Sequence, residues 1–104
     1  MQKNNTETRQ SIINACLLMN SSGLNQGTSG NISLRTDDGI LITPSSLPYD
    51  ETHPEDIMLL PGNGLSGEAI GPNRPSSEWK FHADIYNDRD DIHCVVHTHS
   101  TYAT

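Results

Sequence analysis

The chain has 104 residues, a net charge of −7 and a sequence pI near 4.9. That acidity argues against non-specific binding to nucleic acid or to an anionic membrane, since both need a basic surface. Hydrophobic residues make up 33%. With Tyr left out and Gly counted in, the apolar share still falls short of the ~45–50% typical of globular domains. One domain is expected, with a modest core or one completed by other segments. The first twenty residues carry neither a signal-type apolar run nor a spanning segment, so the expected compartment is the cytoplasm. Cys16 and Cys94 lie far apart, and both are expected as buried free thiols.

In chain order, residues Thr6 to Asn20 carry Ile12, Cys16 and Met19 on one helical spacing and Ile13 and Leu17 on another. That pattern predicts an amphipathic helix stopped at Gly23. Ile32 and Leu34 then alternate with Ser33 and Arg35, Asp38-Gly39 signals a turn, and Ile40 to Ile42 form the return strand. A Pro- and Ser-rich loop leads to a buried strand at Ile57–Leu60. The turn-rich stretch that follows is expected to hold a brief hairpin over Leu65–Ile70. Helical spacing returns through Trp79, Ala83 and Tyr86, with Ser76 or Ser77 as N-cap and Glu78 in the first turn. "CVVH", Cys94 to His97, is expected to be a buried strand. The order predicts a mixed α/β fold on a largely antiparallel sheet.

His97 and His99 are the first candidates for chemistry. On a strand, positions i and i+2 share a face about 7 Å apart, so two imidazoles can converge on one ion such as Zn²⁺. Two ligands are not a site, and the third could come from His53, His82, His93, Cys94, Asp84 or Glu78. His53 is expected to face solvent, and His82 to pack on a neighbour from the helix surface. Glu78, at the start of a helix, can serve as a dipole-complementing surface residue or as a general base beside a metal. "GTSGNIS" with "TPSS", and the Ser76-Ser77 pair before Glu78, offer hydroxyls and backbone N–H groups suited to a phosphate.

Together, "GTSGNIS", "LITPSSLPYDE", "PSSEWKFH" and "VVHTHS" resemble, in order and spacing, class II aldolases of the fuculose-phosphate type. The wider superfamily also holds pentulose-phosphate 4-epimerases, methylthioribulose-phosphate dehydratases and the non-enzymatic adducin head. The resemblance runs from about Ile12 to Thr104. It implies a zinc-dependent lyase that splits a ketose 1-phosphate into dihydroxyacetone phosphate and an aldehyde. It implies Glu78 as catalytic acid/base, His97 and His99 as zinc ligands, and Asn31, Ser45, Ser46, Ser76 and Ser77 as the phosphate pocket. Many relatives have glycine where Ser46 stands. Sister epimerases carry Asp where Glu78 stands, which favours the aldolase.

The family's third histidine ligand lies well downstream of the H-x-H, beyond Thr104. Residues 1–104 are therefore expected to be the N-terminal part of a single class II aldolase-like α/β/α domain. On this reading the fragment alone is inactive and unstable, and the intact parent holds one zinc per subunit in a homo-oligomer, a homotetramer by resemblance. A small self-sufficient metal-binding protein of 104 residues is the alternative.

Overall fold

A computed structural model of the chain describes residues 6–21, 30–45 and 47–97. Gly23, Ser46 and His99 lie outside these residues, so the expectations placed on them do too. Four strands are described: β1 (Asn31–Thr36), β2 (Gly39–Ile42), β3 (Met58–Pro61) and β4 (Cys94–His97). They form one sheet in the order β3-β2-β1-β4, and every pairing is antiparallel. Helices α1 (Thr6–Ser21) and α2 (Trp79–Asp88) cover opposite faces. This is the α/β/α arrangement expected from the sequence.

The two-residue period of the strands sorts the core into two halves. Ile32, Leu41 and Ile57 meet Ile12, Ile13, Cys16 and Met19 of α1, with Leu34 and Leu59 packed alongside. Each fully buried Ile or Met contributes roughly 1.5–3 kcal/mol, which holds α1 in place despite its weak polar face. Ile40, Ile42, Met58 and Leu60 point the other way and meet Ala83 and Tyr86 of α2. The Arg9 guanidinium of α1 also donates to the carbonyls of Pro54 (3.2 Å) and Ile57 (2.5 Å), tying the helix to the loop before β3.

Five local expectations change. The β1–β2 turn is Asp37-Asp38, because Gly39 already pairs with Thr36 as the first residue of β2. Gly39 is needed there for space: its φ is +148°, and a Cβ would lie 2.2 Å from the Leu60 carbonyl oxygen on β3. Leu65–Ile70 does not form its own hairpin; Ile70 instead folds back to exchange two backbone bonds with Leu59 (3.0 and 2.8 Å). Helix α2 starts at Trp79 with Glu78 as the N-cap, one step after Ser77 and two after Ser76, the expected caps. The reason is a tight turn in which Glu78 N–H donates to Ser76 Oγ at 3.3 Å and Trp79 N–H to Ser76 O at 3.0 Å. Finally, β4 is not buried. It is an edge strand, and Cys94 and Val96 fall on the α1 side of the sheet, where α1 does not reach. Cys16 is therefore the one buried free thiol of the two, and Cys94 is exposed.

Candidate functional site

The β1–β4 register sets Asn31 directly opposite His97, so both side chains leave the face that α2 covers. Glu78, at the N-cap of α2, arrives over the same corner. Its Oε1 accepts a bond from Asn31 Nδ2 at 2.9 Å and another from His97 Nδ1. Phe81, one turn further along α2, packs its ring against His97 with centroids 5.6 Å apart. Glu78 is thus held between an amide on β1 and an imidazole on β4, on a corner open enough for a small molecule to reach.

Behind this corner lies a polar chain that the sequence reading did not foresee. Asn31 is buried, and since its NH₂ faces Glu78, its Oδ1 must accept from His82 Nε2. With the proton on Nε2, His82 Nδ1 accepts from Ser33 Oγ at 2.6 Å, and Ser33 in turn accepts from the Tyr86 hydroxyl at 2.8 Å. His82 is 0% exposed. Burial, reinforced by nearby His97 and opposed by Glu78, pushes its pKa down to about 4, which keeps it neutral. Burial likewise pushes Tyr86 up to about 12. Every donor in the run Tyr86–Ser33–His82–Asn31 points towards Glu78.

Two hydroxyl-rich segments meet beside the helix start. Pro44 and Pro75 form a bridge flanked by Ser45 N–H to Arg74 O at 2.8 Å and Ser76 N–H to Thr43 O at 2.9 Å. Ser45 and Ser77 line a pocket of about 350 Å³ together with Arg74, Glu68 and Trp79. Asn31, Glu78 and His97 do not line that pocket. Ser76 is buried, its hydroxyl engaged by the Glu78 N–H. The five phosphate candidates are therefore split. Asn31 and Ser76 support Glu78, Ser45 and Ser77 line the pocket, and Ser46 lies outside the described residues.

Of the possible third metal ligands, His53, His93 and Asp84 are exposed, and Asp84 pairs with Lys80 at 3.3 Å. Cys94 sits on the opposite face from His97. His82 has both ring nitrogens engaged within the chain. Among the described residues no three His, Cys, Asp or Glu side chains gather closely enough to hold a metal. The donor chemistry at the corner nevertheless suits zinc. A His97 whose Nδ1–H faces a carboxylate carries its lone pair on Nε2, the form in which imidazole ligates a metal.

An antiparallel sheet thus lies between two helices, with a carboxylate bonded to an imidazole at one corner. The profile of the Class II Aldolase and Adducin N-terminal domain matches residues 10–104, and the chain belongs to that family. It is 46% identical over 99 residues to the L-fuculose phosphate aldolase of Haemophilus influenzae, covering 95% of this chain and 44% of that enzyme. It is also 46% identical over 96 residues to the 5-methylthioribulose-1-phosphate/5-deoxyribulose-1-phosphate aldolase of Rhodospirillum rubrum, covering 92% and 42%. A solved structure of an L-fuculose 1-phosphate aldolase superposes with a TM-score of 0.85 at 32% identity, over 99% of this chain and 48% of that one. The chain thus spans less than half the length of each of these three relatives.

Proposed function

We propose that this chain supplies the acid–base and phosphate-holding part of a zinc-dependent aldolase that cleaves a ketose 1-phosphate to dihydroxyacetone phosphate and an aldehyde. The observation that carries this reading is Glu78 bonded at once to His97 and Asn31. When bound, zinc, held from this chain by His97 and His99, supplies Lewis-acid polarisation of the substrate carbonyl. Glu78 removes the proton next to that carbonyl in the condensation direction and returns it in cleavage. Ser45 and Ser77, with Ser46, hold the phosphate and so fix the distance between the reacting carbon and Glu78, while Asn31 and Ser76 hold Glu78 in place. L-Fuculose 1-phosphate and 5-deoxy- or methylthio-ribulose 1-phosphates all fit this description, and relatives acting on both kinds match at equal identity.

The same reading makes residues 1–104 the N-terminal part of one domain, in a cytoplasmic homotetramer. No helix among the described residues is long and apolar enough to cross a membrane. A non-enzymatic module of the adducin kind has no use for an imidazole locked to a carboxylate, and the His97–Glu78 contact favours the enzyme over it. The test is Glu78→Gln in the protein that carries this chain, assayed on a panel of ketose 1-phosphates. Turnover should fall by about 10²–10⁴-fold, the usual worth of a general acid–base, with zinc content unchanged. Undiminished turnover removes Glu78 from the mechanism.

A further inference from the structure

We propose that His82 is a positioning residue that fixes the Asn31 amide in the one orientation able to aim Glu78. The inference rests on the reading of Glu78 as the acid–base.

Asn31 donates to the Glu78 carboxylate at 2.9 Å, and an amide can turn over to present oxygen instead of nitrogen. Turned over, it would set an oxygen against the Glu78 oxygen and push the carboxylate away. His82 forbids that turn. Its Nε2 faces the other atom of the same amide, and a ring N–H cannot face an NH₂ group. The tautomer is matched by Ser33, whose hydroxyl lies 2.6 Å from Nδ1 and 2.8 Å from the Tyr86 hydroxyl, so that Ser33 donates to Nδ1 when Tyr86 donates to Ser33. Ser33 and His82 are both 0% exposed, so water cannot substitute for either partner. Four side chains from β1 and α2 therefore transmit a single choice of hydrogen-bond direction to one oxygen of Glu78. Aligned bonds of this kind also polarise one another.

The test compares three variants in the zinc-loaded protein. His82→Gln keeps a donor near Nε2, His82→Met fills the space without one, and Tyr86→Phe removes only the distant hydroxyl. His82→Met should lower kcat by about 10–100-fold, the usual loss when a residue that orients a site group is removed, with KM for the phosphorylated substrate little changed. His82→Gln should recover most of that loss, and Tyr86→Phe should show a smaller drop in kcat alone. If the methionine variant does not fold, the glutamine and phenylalanine variants decide. A kcat close to wild type is expected for the glutamine variant, and an undiminished kcat in the phenylalanine variant overturns the proposal. Equal losses in the glutamine and methionine variants, or a loss in KM alone, also overturn it.

NMR of the Asn31 side-chain amide gives a readout independent of turnover. The resonance should move in His82→Met and stay near wild type in His82→Gln; no movement in either variant overturns the proposal. Should the protein split no ketose 1-phosphate at all, that amide signal still decides the hydrogen-bond chain, while the aldolase reading falls separately.

Discussion

His82 couples protonation to folding on the acid side of neutrality. Its pKa is about 4 in the fold, where burial disfavours the cation, against 6.5 as its ordinary value. Between those values the unfolded chain binds a proton that the folded chain does not. Stability is therefore full above about pH 6.5 and declines as pH falls towards 4, by up to about 3 kcal/mol. Urea midpoints measured from pH 7 to pH 4.5 should drop accordingly, and a flat profile would show that the ring is not buried neutral. Residue types made Glu78 and His97 candidates only, since a carboxylate at a helix start and an H-x-H on a strand each have ordinary structural uses, and it is the family resemblance that gives them roles. Nothing pointed to Ser33. A serine alternating with Ile32 and Leu34 reads as the wet side of a strand, and it is dry only because α2 covers that face. His82 was expected to pack from the helix surface; it is instead fully buried, and its ring partners come from β1, 49 and 51 residues earlier.

Among the elements, β2 is the most constrained, since it is paired on both sides and its burial is complete from Gly39 to Ile42. Gly39→Ala should cost about 1–3 kcal/mol through its clash with the β3 backbone, read as a lower urea midpoint at an unchanged slope. A midpoint equal to wild type would mean that β3 shifts away without penalty. Helix α2 is closed at its far end by Arg35 of β1, which donates to the Tyr86 and Arg89 carbonyls at 2.7 and 2.9 Å and stacks over the Tyr86 ring at 4.9 Å. The periodicity of both helices was legible because each buries one stripe against a sheet. The start of α2 and the status of β4 were not. The first depends on which of three adjacent residues the turn at Ser76 places in the cap, and the second on the position of the strand in the sheet, neither of which local pattern encodes.

At the scale of the whole molecule, the sheet divides the core in two, and the two thiols report the difference. Cys16 has 0% exposure and burial pushes its pKa up to about 12, whereas Cys94 is open on the edge strand. A thiol-specific reagent added to the native chain should modify Cys94 quickly and Cys16 only at the rate at which α1 lifts from the sheet, becoming fast in denaturant. Equal, immediate reaction at both would contradict the packing of α1. The mixed fold and antiparallel sheet were expected from strand and turn signals, whereas cover of that sheet on both faces was expected from the family resemblance and not from the thin apolar supply. It is covered because polar residues on the α2 side, Asn31, Ser33 and His82, satisfy one another and can be buried without water.

Trp79 stands immediately after Glu78, half-buried against the α2 side of the core and lining the pocket with Ser45 and Ser77. It is also the sole tryptophan of the chain. An intrinsic fluorophore therefore stands between carboxylate and serines, so that ultraviolet emission from the unlabelled chain tracks the melting of this corner.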